Sequence, residues 1–340
     1  MRLEVSRPLS RSRRSSGSMQ ELPPLNSIDW KKMRSGNGSY HGLSWSLIAR
    51  RYVVDYLLLT ALIVALCISE VMDPFERSVY HKTDAEVWRY SYPLKVHNTV
   101  PSWSVPIIST CGPAAVLVAY YFAAGPSRLE FHNTLLGCLS CVVATALATN
   151  LVKLSVARPR PNFAARCWPD GMPQYDAAGV PLCAPGAVNP SEGRKSFPSG
   201  HTSWSTSGLG FLSLWALGKL RAFDGSGHTW RLLGGLLPLA VAVWIGITRL
   251  QDYWHHWEDV LAGFCLGLSA AYAFYRQHFM PLSSRRAGEP LAVGLGPDGA
   301  PEGGTGLVTG SGGQGQRASY LDLEAALPEP ASPHDAGIMR

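Results

Sequence analysis

The chain has 340 residues, 46% of them hydrophobic and 16% charged, with seven cysteines and a formal net charge of +6. Its mean hydropathy of +0.03 averages a strongly apolar middle with two polar ends. Seven cysteines in a chain this long argue against a disulfide scaffold, and the length allows one large domain or two.

Residues 1–50 are rich in Ser, Arg, Gly and Pro and show no sustained period, so a disordered basic tail is expected. Residues 1–51 hold ten Lys and Arg against three acids, so the net positive charge belongs to this tail. A basic tail beside a membrane span fixes orientation more often than it binds nucleic acid, and no nucleic-acid partner is expected. Ser and Arg enrichment also fits a plastid transit peptide, but Glu4 and weak amphipathicity oppose it. The first apolar run starts only after Arg51, so no N-terminal signal peptide is expected.

A lipid-spanning helix needs about 20 mostly apolar residues. Six stretches meet that need: 52–72, 103–124, 133–156, 202–220, 232–250 and 260–275. The fourth is rich in Ser and Gly, which suits close packing inside a bundle rather than contact with lipid. Cys67, Cys111, Cys138, Cys141 and Cys265 fall in these runs and read as small buried hydrophobes, so the Cys138-x-x-Cys141 pair fits neither a redox nor a zinc site.

Six spans put both termini on one side. That side carries the basic tail and the loops 125–130, 219–231 and 276–286, whereas the opposite loop 70–102 holds Glu70, Asp73, Glu76, Asp84 and Glu86 against four basic residues. The positive-inside rule then makes both termini cytosolic and turns the long loop 157–198 to the lumen or exterior. On that face Cys167 and Cys183 are candidates for a bridge, two free thiols being the alternative. The Asn37-Gly-Ser sequon is cytosolic and expected to be unused. Residues 279–340 are Gly-, Pro- and Ala-rich and read as a disordered cytosolic tail, in which Ser319 is more simply a loop serine than a phosphorylation site. The expected architecture is an all-α, six-span transmembrane helical bundle over residues 51–278, with the active site at the lumenal or extracellular ends of the helices.

Three polar stretches fall on that one face. The first ends the third span: Lys153, then Arg158-Pro159-Arg160-Pro161. Charges in a membrane helix mark function more often than anchoring, and Lys153 and Arg160 offer a point charge and a planar fork to phosphate oxygens. The second is Ser199-Gly200-His201 after Pro198, opening the fourth span. A helix N-terminus favours an anion, Gly200 admits a close ligand, Ser199 offers a hydroxyl and His201 a proton for a leaving oxygen.

The third stretch runs from Thr248 to Asp259 and contains Arg249 and His255. His255 and Asp259 are i and i+4, so on one helix face Asp259 would hold one ring nitrogen and aim the other at substrate. Taken alone, His255 reads as an interfacial histidine in an aromatic belt with Tyr253, Trp254 and Trp257. His201, His255 and His256 lack tight metal-ligand spacing, and the Lys and Arg around them repel a cation, so neither metal nor cofactor is expected.

Lys-x6-Arg-Pro, Pro-Ser-Gly-His and Arg-x5-His-x3-Asp, in this order and in a six-span setting, resemble the three signatures of the type-2 phosphatidate phosphatase superfamily, which shares its site with vanadium haloperoxidases. The strings 92–101, 192–203 and 252–263 resemble plant-type lipid phosphate phosphatases, and the likeness covers roughly residues 50–278. The resemblance implies that His255 is the nucleophile forming a phosphohistidine, with Asp259 its partner. It implies that His201 protonates the leaving alcohol and that Lys153, Arg160, Ser199, Gly200 and Arg249 hold the phosphate. His256 is secondary. The third signature usually opens Ser-Arg and here reads Thr248-Arg249; Thr keeps the hydroxyl.

The expected activity is metal-independent hydrolysis of phosphatidate to diacylglycerol, with lysophosphatidate and diacylglycerol pyrophosphate as further substrates, at the endoplasmic reticulum or plasma membrane. The expected partner is the lipid bilayer and its phosphorylated lipids. Alternatives are a phosphatase for sphingoid, polyprenyl or sugar phosphates, and a non-enzymatic scaffold, which should have lost catalytic groups that this chain keeps.

Overall fold

The computed structural model describes residues 45–77 and 88–291. The expected tails over 1–44 and 292–340, the Asn37 sequon, Ser319 and the charges of Asp84 and Glu86 lie outside the described residues. A short helix α1 (Trp45–Arg51) leads into α2 (Val53–Val71), and α3 (Ser104–Ala124) contains a π turn at Ile107–Cys111. The longest helix, α4 (Arg128–Val156), precedes two extramembrane turns of helix, α5 (Phe163–Cys167) and α6 (Pro190–Gly193). Between these lies a ribbon of β1 (Gln174–Tyr175) antiparallel to β2 (Pro181–Leu182). Three more long helices follow: α7 (Gly200–Lys219), α8 (Thr229–Gln251) and α9 (Trp257–His278).

Four of the helices, α2, α3, α4 and α8, are long and apolar enough to cross a membrane, with mean hydropathies of 1.6–2.0. The fourth and sixth expected spans fold as α7 and α9, of 20 and 22 residues, but are more polar than these four. Packing accounts for their composition. α7 lies at the centre, buried against α4, α8 and α9, so its Ser and Thr hydroxyls meet protein rather than lipid. Ser205 donates to the His201 carbonyl at 2.6 Å, Ser207 to the Trp204 carbonyl at 2.8 Å, and Thr149 meets Ser203 at 2.8 Å. Such internal pairing is what a polar helix in an apolar medium requires. The outer helices instead expose apolar side chains: Val54, Leu57 and Leu58 on α2, and Leu237, Trp244 and Ile247 on α8. An apolar exterior of this extent suits lipid, not water.

Glycines set the distance between the central helices. A Cβ on Gly267 of α9 would lie 2.5 Å from the Ser203 carbonyl oxygen of α7, and one on Gly208 of α7 would lie 1.9 Å from the Ser109 carbonyl oxygen in the π turn. Only the missing side chain admits so close an approach.

Helix ends follow local rules. α4 starts five residues before the expected apolar run because Ser127 caps it, accepting from the Glu130 amide at 3.1 Å. It stops at Ala157, which takes a left-handed conformation just before the Pro-containing run. The expected tail boundaries shift at both sides. Trp45–Arg51 is helical, and residues 279–291 fold back on the bundle. Phe279 is fully buried in a cluster with Cys138, Cys141, Phe211 and Tyr275, and the Met280 amide donates to the Glu289 carbonyl at 3.1 Å. Apolar Phe279 and Met280 find core contacts that a low-complexity reading does not anticipate. Cys167 and Cys183 are joined by a disulfide, and Cys67, Cys111 and Cys265 are exposed on the helix surfaces rather than buried.

Replacing Gly267 by Val forces a side chain against the Ser203 carbonyl. The expected cost is roughly 1–3 kcal/mol, read as a Tm several degrees lower in detergent; an unchanged Tm contradicts the close α7–α9 contact.

Candidate active site

The three polar stretches meet where α4 ends and α7 and α9 begin. Backbone hydrogen bonds knit them together: the Arg160 amide donates to the Gly193 carbonyl at 2.8 Å, Ser196 to Arg158 at 3.0 Å and Ser199 to Asp259 at 2.9 Å. A cavity of about 480 Å³ opens there. Among the sequence-predicted residues, Lys153, Arg160, Gly200, His201 and His255 line it, whereas Ser199, Arg249 and Asp259 stand behind its wall.

Lys153 comes from the last turn of α4. A Cβ on Gly200 would lie 2.9 Å from its ammonium nitrogen, so the glycine leaves room for the lysine as well as for a ligand. Arg160 is buried and forms an ion pair with the Glu192 carboxylate, its Nε donating to the Glu192 carbonyl at 2.8 Å. Burial raises the Glu192 pKa, but Arg160 and Lys153 outweigh it and hold the carboxyl below its ordinary value. The Trp254 ring lies 4.6 Å from the guanidinium of Arg160 and 4.6 Å from that of Arg166. Trp254 thus packs against two cations, and the neighbouring Tyr253 stacks on Tyr92 at 5.0 Å. Of the expected aromatic belt, Trp257 remains well exposed.

His255 precedes α9 instead of lying on it, which corrects the expected helical i,i+4 pair. Its Nδ1 is 2.7 Å from the Ser196 carbonyl oxygen and 3.8 Å from the Asp259 carboxylate. A carbonyl only accepts, so Nδ1 carries the hydrogen and the Nε2 lone pair is left for an electrophile. Burial pushes the His255 pKa down to about 4, with Asp259 opposing that fall and Arg160 adding to it. The imidazole is therefore neutral near pH 7.

Asp259 is drawn elsewhere by the start of the helix. It is the third residue of α9 and its carboxylate turns back to the His256 amide at 2.9 Å, as in a capping box. It also accepts from Ser196 Oγ at 2.6 Å and pairs with Arg158 at 2.6 Å. Its hold on His255 thus runs in part through Ser196, whose hydroxyl it fixes and whose carbonyl accepts the hydrogen bond from His255 Nδ1. Ser199 likewise caps α7: its fully buried hydroxyl accepts from the Thr202 amide at 3.5 Å and from Thr202 Oγ1 at 3.0 Å.

His201 Nε2 lies 3.2 Å from the Val100 carbonyl and 3.4 Å from Arg249 Nη1. Protonated there, it donates to Val100; deprotonated, it accepts from Arg249. Arg249 is fully buried, with Nε and Nη2 at 3.1 and 2.9 Å from Thr248 Oγ1 and Nη2 at 2.9 Å from Asp252. The Thr248 hydroxyl therefore serves as an acceptor for Arg249, a task that serine or threonine performs equally. Among the described residues, no three His, Cys, Asp or Glu side chains gather as a metal-ligand set.

Sequence reasoning missed Arg158, Glu192, Ser196 and Asp252. Two signals were available. Asp252 stands three residues after Arg249, and Asp259 three after a capping His256. Nothing local announces Arg158–Asp259 or Arg160–Glu192, because each joins residues far apart in the chain.

The family model for the PAP2 superfamily matches residues 134–282. Lipid phosphate phosphatase 2 of Arabidopsis thaliana is 43% identical over 242 residues, 71% of this chain and 81% of the relative. Lipid phosphate phosphatase 1 of the same plant is 41% identical over 232 residues, 68% of this chain and 69% of the relative. A probable diacylglycerol pyrophosphate phosphatase 1 of Schizosaccharomyces pombe is 36% identical over 254 residues, 74% of this chain and 88% of the relative. No solved structure matches.

In histidine-labelled protein, the NMR signal of His255 should stay flat from pH 8 to 5 and titrate with a midpoint near 4. A midpoint near the unperturbed value of about 6.5 contradicts a buried neutral imidazole.

Proposed function

Since the chain belongs to the PAP2 superfamily, among its lipid phosphate phosphatases, we propose that it hydrolyses phosphatidate to diacylglycerol and phosphate through a phosphohistidine on His255. The protein is an integral membrane phosphatase of lipid phosphates. The observation that carries the mechanism is the neutral His255, oriented by the Ser196 carbonyl, on the wall of a cavity that also holds Lys153 and Arg160.

In the first step His255 Nε2 attacks phosphorus and the phosphorus–oxygen bond to the glyceride breaks. His201 gives its proton to the departing alkoxide, so diacylglycerol leaves neutral. Lys153 and Arg160 hold the non-bridging oxygens, and Arg249, beside His201, adds positive charge as negative charge grows. In the second step water attacks the phosphohistidine, neutral His201 takes a proton from that water, and inorganic phosphate departs with His255 restored. Ser199 and Gly200 act through the start of α7: Ser199 caps the helix that carries His201, and Gly200 leaves space for Lys153.

The cavity wall also includes Ser69 and Glu70 at the end of α2 and Trp103 and Val105 at the start of α3. Val71 and Trp103 expose 84% and 71% of their surface, so this mouth faces the surroundings of the bundle. A headgroup reaches the cations there while its acyl chains stay in lipid. On this reading all six long helices span, the site faces the lumen or exterior, both termini are cytosolic, and the membrane is the endoplasmic reticulum or plasma membrane. On the cytosolic side the bundle is preceded by α1 and followed by the folded-back residues 279–291. The diacylglycerol pyrophosphate phosphatase among the relatives supports lipid pyrophosphates as further substrates, with lysophosphatidate. No step needs a metal, since the cations of the site neutralise the phosphate.

Phosphate release from phosphatidate by the purified protein should persist in EDTA and fall more than about 10³-fold in His255→Ala. Full activity in the variant removes His255 as nucleophile, and loss on chelation removes metal independence. A panel of lipid monophosphates and pyrophosphates then ranks the substrates.

A further inference from the structure

The segment 92–101 lies between α2 and α3, contributes no residue to the mechanism above, and is nonetheless fastened to the site along its whole length. The Tyr92 amide donates to the Pro161 carbonyl at 3.0 Å, and Trp254 Nε1 to the Lys95 carbonyl at 3.3 Å. Asn98 Oδ1 is 3.4 Å from Arg249 Nη1, and the Val100 carbonyl is 3.2 Å from His201 Nε2. Most of the remaining hold converges on one group, the carboxylate of Asp252. It has no exposed surface, and it receives Lys95 Nζ at 2.5 Å, the Thr99 amide at 2.8 Å, Thr99 Oγ1 at 2.9 Å and Arg249 Nη2 at 2.9 Å.

We propose that Asp252 is a positioning residue for phosphoryl transfer: it sets which edge of the Arg249 guanidinium faces His201 and ties the segment 92–101 across the two. The guanidinium is a flat fork with five donors. Thr248 Oγ1 and Asp252 occupy Nε and Nη2, which leaves Nη1 directed at His201 and Asn98. Without the carboxylate the fork loses its only ion-pair partner among the described residues and keeps only Thr248 Oγ1 on its Nε–Nη2 edge. The Val100 carbonyl moves with the same anchor, because Thr99 binds Asp252 through both its amide and its hydroxyl. Asp252 touches no reacting atom in this arrangement, and its effect passes through Arg249 and His201. Burial favours the neutral acid, but the hydrogen bonds of Lys95 and Thr99 and the charge of Arg249 outweigh it and keep the carboxyl below its ordinary pKa.

The inference rests on the phosphatase reading, and a double-mutant cycle tests it. Steady-state kinetics on phosphatidate in mixed micelles would compare wild type, Asp252→Asn, Arg249→Gln and the double variant. Arg249→Gln should lower kcat/KM roughly 10²–10³-fold, as loss of one transition-state donor does. Asp252→Asn should lower it at least tenfold, mainly in kcat, and the double variant should be no worse than Arg249→Gln alone. Multiplying losses, or wild-type kcat/KM in Asp252→Asn, overturn the proposal, since a merely structural carboxylate would weaken both backgrounds alike. If Asp252→Asn does not yield monodisperse protein, Lys95→Met with Thr99→Val replaces it, both side chains being exposed. That pair should lower kcat/KM severalfold with Arg249 present and leave it unchanged in Arg249→Gln; an equal drop in both backgrounds overturns the proposal. The same cycle on orthovanadate affinity by calorimetry needs no turnover. Non-additivity there, with no lipid hydrolysis by wild type, would sink the phosphatase reading and keep Asp252; additivity there would sink Asp252.

Discussion

A carboxylate with no access to water must be satisfied by protein donors, and Asp259 is such a group. Its donors come from each of the three stretches. Arg158 follows the end of α4, Ser196 precedes α7, and the His256 amide opens α9. One buried charge therefore fixes how three segments, separated by up to 101 residues in sequence, sit against one another. The orientation of His255 is a consequence: the carboxylate fixes the Ser196 hydroxyl, and the carbonyl of the same residue accepts the hydrogen bond from His255 Nδ1. Removing any of these donors would leave the charge incompletely paired, a larger loss than one ordinary hydrogen bond.

The central helix imposes the second constraint. α7 carries so many Ser, Thr and Gly residues that it offers lipid little apolar surface, and it lies enclosed by α4, α8 and α9 instead. Enclosure at glycine-set distances brings its N-terminus between the end of α4 and the start of α9. There Lys153 fills the space that a side chain at position 200 would take. The composition that weakens α7 as a membrane span is thus what allows the site to assemble.

This accounts for what the sequence made legible. The long runs located all six long helices of the described residues to within five residues, and four of them are apolar enough to cross a membrane. The helix start at Arg128 was misjudged because its first turn is polar and capped by Ser127. The i,i+4 spacing of His255 and Asp259 suggested a helix face, yet the helix begins between them and the capping geometry turns the carboxylate back. Lys153, Arg160, Gly200, His201 and His255 do converge on one cavity. Of the anionic partners, Glu192 was not legible, since its pairing with Arg160 joins residues far apart in the chain, whereas Asp252 left a local trace three residues after Arg249.

Those partners bear on how a cationic pocket can exist before its substrate arrives. Arg160 and Arg249 are buried, and isolated buried guanidinium groups would repel each other and be costly to keep dry. Glu192 and Asp252 each hold one of them, and Asp259 holds Arg158. The folded chain therefore meets a phosphate with its guanidinium groups already placed, so little reorganisation remains for the reaction itself. On the proposed reading the same pairing tempers affinity, because a phosphate at Arg160 would compete with the Glu192 carboxylate for the same donors. An enzyme that must release inorganic phosphate after each cycle gains from that competition: what weakens ground-state binding of the product need not weaken the transition state, whose charge is differently spread.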